Sequence, residues 1–145
     1  MHVVGWVIMS NHIHLIVFTE SLDLSDVLRD FKKFTAHKIL ESIRQEPESR
    51  REWLLHMFKY FAEVNTKNRN FQFWQQDNHP IALWTLQVIW QKLDYIHNNP
   101  VRAGIVADTT YYIYSSAGDY FTAKKGLLDI DLIEPIGPVL PTGYY

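Results

Sequence analysis

Two apolar runs near the start of the chain have the composition and alternation of β-strands. Residues 3–9 (VVGWVIM) and 12–18 (HIHLIVF) are rich in β-branched and aromatic side chains, and only Ser10 and Asn11 separate them. Two such runs joined by two polar residues predict a β-hairpin. In the second strand, alternation places Ile13, Leu15 and Val17 on one face and His12, His14, Ile16 and Phe18 on the other.

Two long segments then carry apolar residues at the spacing of an amphipathic helix. The first follows Asp23 or Ser25, either of which can serve as its N-cap, and extends to about residue 46. The second covers residues 51–64 (REWLLHMFKYFAEV). The polar face of the first helix is basic, which makes it a candidate surface for anions.

A third helix is predicted after Thr85, which is a good N-cap. Pro100 predicts its end near Asn99, because the residue before a proline avoids helical geometry. Residues 71–74 (FQFW) alternate briefly and predict a short strand. The aromatic, proline-punctuated remainder is interpreted as packed loops and a tail.

Composition narrows the class of protein. The chain has 145 residues, of which 47% are hydrophobic, and this fits one globular domain. It has no cysteine, which excludes disulfides, thiolate zinc sites and cysteine nucleophiles and fits a cytoplasmic location. No apolar run approaches the ~20 residues of a membrane span, so we expect no membrane partner. The net charge of −2 means that a nucleic-acid partner needs a local basic patch.

His12 and His14 are the first candidate site. Residues two apart on a strand project the same way, with side-chain origins about 6–7 Å apart, so both imidazoles can converge on one ion. Two ligands alone do not fix a metal. A pair of buried or edge histidines without a ligand is the alternative, and it is favoured for an isolated pair.

A second cluster, YIHNNPVRAG at residues 95–104, shifts the preference from a histidine pair without a ligand toward a metal site. Tyr95 and Asn99 are four residues apart and therefore share a face of the third helix. Taken alone, they indicate a tyrosine ring on the protein surface and an asparagine amide that forms a hydrogen bond. Together with the histidine pair, Asn99 offers a third, oxygen ligand. Tyr95 then offers a nucleophile for an electrophile that the metal polarises, such as a phosphodiester.

The two motifs together resemble those of a known protein family. WVIMSNHIHLIV followed by YIHNNPVRAGIV closely resembles the REP-associated tyrosine transposases and the wider family of single-tyrosine HUH transposases. SDVLRDFKKFTAHKI, FWQQDNHP and YSSAGDY resemble intervening family blocks, in the same order. The resemblance implies a ferredoxin-like α+β domain over residues 1–122, an antiparallel sheet with helices on one face, followed by a tail at residues 123–145.

The resemblance also implies an activity, namely metal-dependent nicking and strand transfer of single-stranded DNA during transposition. His12 and His14 match the HUH histidines, and Asn99 takes the place of the third ligand for Mg²⁺ or Mn²⁺. Tyr95 matches the catalytic tyrosine, which forms a 5′-phosphotyrosine intermediate. The substrate is single-stranded DNA, often with a hairpin beside the cleavage point.

Basic residues are candidates for contacts to the DNA backbone. Three lie on the polar face of the first helix, two in the NTKNRN loop and one after the tyrosine motif. For the helix and loop residues a solvated basic surface is the alternative, equally favoured for each residue taken singly. For the residue after the tyrosine motif, the alternative is a cap at the end of the third helix. The candidates are Arg29, Lys32, Lys33, Lys67, Arg69 and Arg102.

The chain departs from the family pattern before the hairpin, where the family has a further strand and helix. We therefore expect that first strand and helix to be missing, which leaves one edge of the 12–18 strand open. We expect one of two outcomes: the gap remains, with exposed backbone beside Leu15 and Val17 and a poorly stable chain, or it is filled. Residues 71–74 or a second copy of the chain, forming a homodimer, would fill it. The missing elements also motivate an alternative function, a degenerate relative that binds a DNA hairpin without cutting it. A metal-binding structural domain unrelated to DNA is a third hypothesis.

Overall fold

The computed structural model describes residues 1–20, 23–65, 70–76, 78–122 and 124–135. Within these ranges the protein is α+β, with one two-stranded antiparallel sheet and four α-helices. The elements in chain order are β1 (His2–Ile8), β2 (Ile13–Phe18), α1 (Leu24–Gln45), α2 (Arg51–Val64), α3 (Leu86–Arg102), a 3-10 turn (Thr109–Tyr111) and α4 (Ala117–Phe121).

The chain forms two compact units. Unit 1 contains Met1–Ser21 and Ile81–Tyr145, and unit 2 contains Leu22–Pro80. The domain boundary that the sequence predicts after residue 122 stays a prediction. Residues 124–135 lie partly against β1, where the Asp131 N–H donates to the Val3 carbonyl at 2.8 Å.

The predicted hairpin is confirmed. β1 and β2 pair antiparallel, and the Met9 N–H donates to the His12 carbonyl at 2.8 Å across the two-residue turn. Other segments of unit 1 cover the second edge of β1. The Ile8 N–H donates to the Tyr114 carbonyl at 2.9 Å, and Ser115 forms an isolated bridge with Val7.

The predicted strand at residues 71–74 is wrong. The Gln72 N–H donates to the Phe58 carbonyl of α2 at 2.9 Å, and the Trp74 indole N–H donates to the Thr35 hydroxyl of α1 at 2.9 Å. The segment therefore packs on the two helices of unit 2, where its aromatic rings are half-buried. In the described ranges, no third strand pairs with β2.

The third helix does not end at Asn99 as predicted, since α3 continues through Pro100 to Arg102. Pro100 is buried, and the helix ends two residues after it. The Ile105 N–H donates to the Pro100 carbonyl and the Gly104 N–H to the Val101 carbonyl, both at 2.9 Å. This pair of bonds, with Gly104 at φ 69°, is a Schellman motif that satisfies the terminal carbonyls.

The core of unit 1 lies between the hairpin and α3. Its buried members are Val4, Val7, Met9, Ile16, Leu93 and Ile96. The strand and helix approach closely at Gly5, where an added Cβ would collide with the Leu93 Cδ2 and lie 3.4 Å from the Ile96 Cδ1. Gly5 is therefore required by space rather than by backbone conformation.

Gly5→Ala is expected to destabilise the protein by about 1–3 kcal/mol, because the extra methyl overpacks a core whose Leu93 side chain is fully buried. Gly118→Ala is the matched control, since a Cβ there meets nothing closer than the Thr122 hydroxyl at 3.9 Å. Urea unfolding followed by circular dichroism measures both. Equal stability of Gly5→Ala and the wild type would contradict this close packing.

A buried histidine also belongs to this core. His97 is 1% exposed, and its Nε2 lies 2.8 Å from the Ser116 hydroxyl, which also accepts a hydrogen bond from the Trp6 N–H. Its Nδ1 has no hydrogen-bond partner in the part of the chain that the structure describes. Burial lowers the pKa of His97 from 6.5 to about 4.

His97 is therefore expected to make the protein acid-labile. The unfolded chain takes up a proton on this side chain below pH 6.5, whereas the folded chain takes it up only near pH 4. The free energy of unfolding should fall by up to about 3 kcal/mol as the pH drops across that window. Urea unfolding between pH 7.5 and 4 tests this, with His97→Gln as the comparison. If the free energy of unfolding of His97→Gln falls by the same amount at acid pH, other groups cause the loss.

Candidate functional site

His14 of β2 and His12, just before that strand, lie on the side of the hairpin that α3 covers. His14 pairs with Val7 and Ile16 pairs with Gly5, so both share the face on which Leu93 approaches. Along this face Ile16 is buried, His14 is half-buried and His12 is exposed. The imidazoles therefore occupy the rim of the core, where the covered face opens to solvent, and this explains their place in an otherwise apolar strand.

Three side chains from the two sequence motifs meet at this rim. The ring centroids of His12 and His14 are 4.9 Å apart with an interplanar angle of 79°. The ring centroids of His14 and Tyr95 are 5.8 Å apart at 78°. The fold thus brings the histidine pair and the tyrosine together, and Tyr95 as a whole residue remains 43% exposed.

The protonation of the two histidines is compatible with a role as ligands. The His12 Nδ1 lies 2.7 Å from the Asn11 Oδ1. With that amide orientation the Nδ1 carries the proton, which leaves the Nε2 lone pair free for a ligand. Burial, and next the neighbouring His12, lower the pKa of His14 below its ordinary value, so its imidazole is neutral at neutral pH. Sequence reasoning gave Asn11 no role beyond the turn.

Asn99 lies one helical turn after Tyr95 on the same face of α3. Its Nδ2 is buried and has no hydrogen-bond partner among the described residues. The oxygen and nitrogen of an amide are assigned from such contacts, and reversing them places the Oδ1 at the unpartnered position. An unpartnered amide oxygen fits a cation. Its place as third ligand beside His12 and His14 stays a prediction.

The described ranges contain no group of three or more histidine, cysteine, aspartate or glutamate side chains that is arranged to hold a metal ion. A donor set of two imidazoles and one amide oxygen would suit Mn²⁺ better than Mg²⁺, since imidazole is a poor ligand for magnesium.

Two cations lie against the Tyr95 ring. The Arg102 Cζ is 5.3 Å from the ring centroid and the Lys92 Nζ is 5.9 Å from it. The sequence predicted a phosphate contact for Arg102 but missed Lys92. The signal for Lys92 was its position three residues before Tyr95, which puts it on the same helix face.

The remaining predicted DNA contacts lie in unit 2 or outside the described residues. Arg29 pairs with both Asp26 and Asp30. The Lys32 Nζ donates to the Gln75 carbonyl and to the Asn78 Oδ1. Lys33 is exposed on α1. Lys67 and Arg69 lie outside the residues that the structure describes.

Comparison with known proteins identifies no relative, since no protein-family model, curated protein or solved structure matches the chain. No helix in the described part of the chain is long and apolar enough to cross a membrane. Function must therefore be inferred from the side chains around Tyr95 and from the two motifs that supply them.

Proposed function

We propose that this protein nicks and rejoins single-stranded DNA, as a metal-dependent strand transferase of the REP-associated tyrosine transposase type. The observation that carries the proposal is the contact between the His14 and Tyr95 rings, whose centroids are 5.8 Å apart. A metal-ligating pair and a nucleophile from motifs far apart in sequence act together only if the fold joins them. This contact supports such a joint site.

The proposal includes a ferredoxin-like arrangement for the sheet. The β1–β2 hairpin with α3 across one face supports it, because a helix-covered antiparallel hairpin is the part of that fold which holds the site. Strands that complete the sheet would pair with the second edge of β2. A second copy of the chain is one source of such a strand, and it would form a homodimer.

The residues present fit a divalent cation, Mg²⁺ or Mn²⁺. His12, His14 and Asn99 would hold it through two imidazole nitrogens and one amide oxygen. When bound, the cation supplies Lewis-acid polarisation of the scissile phosphate. The Asn11 side chain contributes by fixing the orientation and the tautomer of the His12 ring.

Tyr95 performs the covalent step. Its hydroxyl oxygen attacks phosphorus, the bond from phosphorus to the 3′-oxygen breaks, and the departing strand leaves as a free 3′-hydroxyl. The other strand stays attached as a 5′-phosphotyrosine, so the energy of the bond is kept and no nucleotide cofactor is needed. Attack by a different 3′-hydroxyl reverses the step and regenerates the Tyr95 phenol.

The reaction also needs a base that accepts the proton of the Tyr95 hydroxyl, and His97 is one candidate. His97 is close in sequence but is buried against Ser116, Tyr120 and Phe121. Helical geometry also turns it about 200° from Tyr95 around the α3 axis. His97 therefore serves the core, and we do not assign it as the base.

Covalent trapping tests the proposed function. Fluorescent single-stranded oligonucleotides that carry a hairpin are incubated with the protein in Mn²⁺, Mg²⁺ or EDTA and separated under denaturing conditions. We expect a protein–DNA band with metal and none with EDTA, and mass spectrometry should place the nucleotide on Tyr95. Metal-independent hairpin binding without an adduct would favour the non-cutting relative. If no DNA binds in any condition, the remaining hypothesis is a metal-binding structural domain unrelated to DNA.

A further inference from the structure

One face of α3 carries a polar stripe next to the core. Lys92, Tyr95, Asn99 and Arg102 follow one another at intervals of three, four and three residues, the spacing of a single helix face. The core stripe of Leu93, Ile96 and His97 lies beside it. The polar stripe thus places a cation one turn before the tyrosine and another two turns after it.

Neither cation is neutralised by an acid within the described ranges. There, Lys92 and Arg102 form no ion pair, and each lies against the Tyr95 ring instead. Some other basic side chains are paired, such as Lys59 with Glu63 and Lys125 with Asp129. A ring face compensates a cation only weakly compared with an anion. The two charges therefore remain available to a ligand that approaches Tyr95.

The two cations suit a ligand that carries repeated negative charges, since such a ligand can engage both at once. A nucleic-acid backbone has this pattern, with a charge on every linkage. Its own charge also opposes the approach of a nucleophilic oxygen, which adjacent cations offset.

We propose that Lys92 and Arg102 form a two-point phosphate clamp that grips the single-stranded DNA backbone on both sides of the linkage facing Tyr95. This inference rests on the proposed function for the identity of that linkage. Lys92 is a phosphate-binding residue of the site, and the Tyr95 ring holds both cations in place before DNA arrives. Binding exchanges the ring contacts for charge-assisted contacts to phosphate oxygens.

Salt dependence of binding tests the clamp without any catalysis. Binding of a labelled single-stranded oligonucleotide is measured in EDTA over a range of KCl concentrations for Lys92→Gln and Arg102→Gln. Each should weaken binding several-fold and make the negative slope of log K against log[salt] shallower by about 0.7, the value for one contact to a single strand. Lys92→Arg should restore both quantities. Lys125→Gln, which also removes one lysine charge, should leave them unchanged.

The kinetics of adduct formation separate a clamp from a mere support for the tyrosine ring. In Lys92→Gln the half-saturating DNA concentration should rise by a larger factor than the maximal rate falls. A fall in maximal rate alone, or salt slopes equal to those of Lys125→Gln, would overturn the clamp. If the wild type forms no adduct but Lys92→Gln and Arg102→Gln flatten the salt slope, the clamp stands and strand transfer does not. An adduct with unchanged slopes would support strand transfer and overturn the clamp.

Discussion

Tyr95→Phe is expected to eliminate the covalent DNA adduct while leaving binding of a DNA hairpin nearly unchanged. The substitution removes one oxygen and keeps the ring, which contacts His14 and the Lys92 and Arg102 cations. In the proposed function, binding depends mainly on those charges, and formation of the adduct depends on the lost nucleophile. Denaturing gels measure the adduct, and fluorescence anisotropy measures the affinity.

The chain offers a matched control for this result. Tyr111→Phe makes the same chemical change at a side chain that is 71% exposed within unit 1, and it should form the adduct at the wild-type rate. An adduct that persists in Tyr95→Phe would place the nucleophile elsewhere. The neighbouring tyrosines of the TTYYIYSS segment, Tyr111, Tyr112 and Tyr114, would then be the next candidates.

His14→Ala is expected to abolish metal-dependent cleavage and to weaken Mn²⁺ binding by more than about 100-fold, since a ligand should cost at least as much as the residues that support one. The His14 ring contacts the rings of both His12 and Tyr95, and no other described imidazole contacts both. Calorimetric titration with Mn²⁺ measures the affinity independently of DNA cleavage.

A surface histidine provides the comparison. His56→Ala removes an exposed imidazole from α2 in unit 2 and should leave both metal affinity and cleavage as in the wild type. Cleavage by His14→Ala at the wild-type rate, with the same requirement for metal, would remove the histidine pair from the proposed site. Loss of cleavage with normal Mn²⁺ affinity would instead make His14 a DNA contact or a support for Tyr95.

Local sequence was sufficient where neighbouring residues set the structure. Alternation and a two-residue polar connection predicted the hairpin, because strand faces and a tight turn are decided within a few residues. Asp23 caps α1 through a hydrogen bond from the Ser25 N–H to its carboxylate, and α2 has the predicted bounds Arg51–Val64. The start of α1 is thus set by a signal that lies within one turn.

Local rules failed where distant segments compete. Proline opposes a helix, yet burial of Pro100 and the Schellman motif that follows it compensate, so α3 gains another turn. The alternating FQFW segment is compatible with a strand, but its rings pack against α1 and α2 instead. Four residues carry too little pattern to decide between these packings.

The sequence by itself determined which residues form the candidate site, since His12, His14, Tyr95 and Asn99 stand in two short motifs with chemically suitable spacing. Only the tertiary structure decided that the motifs meet. Their contact depends on α3 crossing the hairpin closely above Gly5, where any side chain would collide with Leu93. Spacing within a motif fixes directions along one element, whereas distances between elements follow from how their side chains pack.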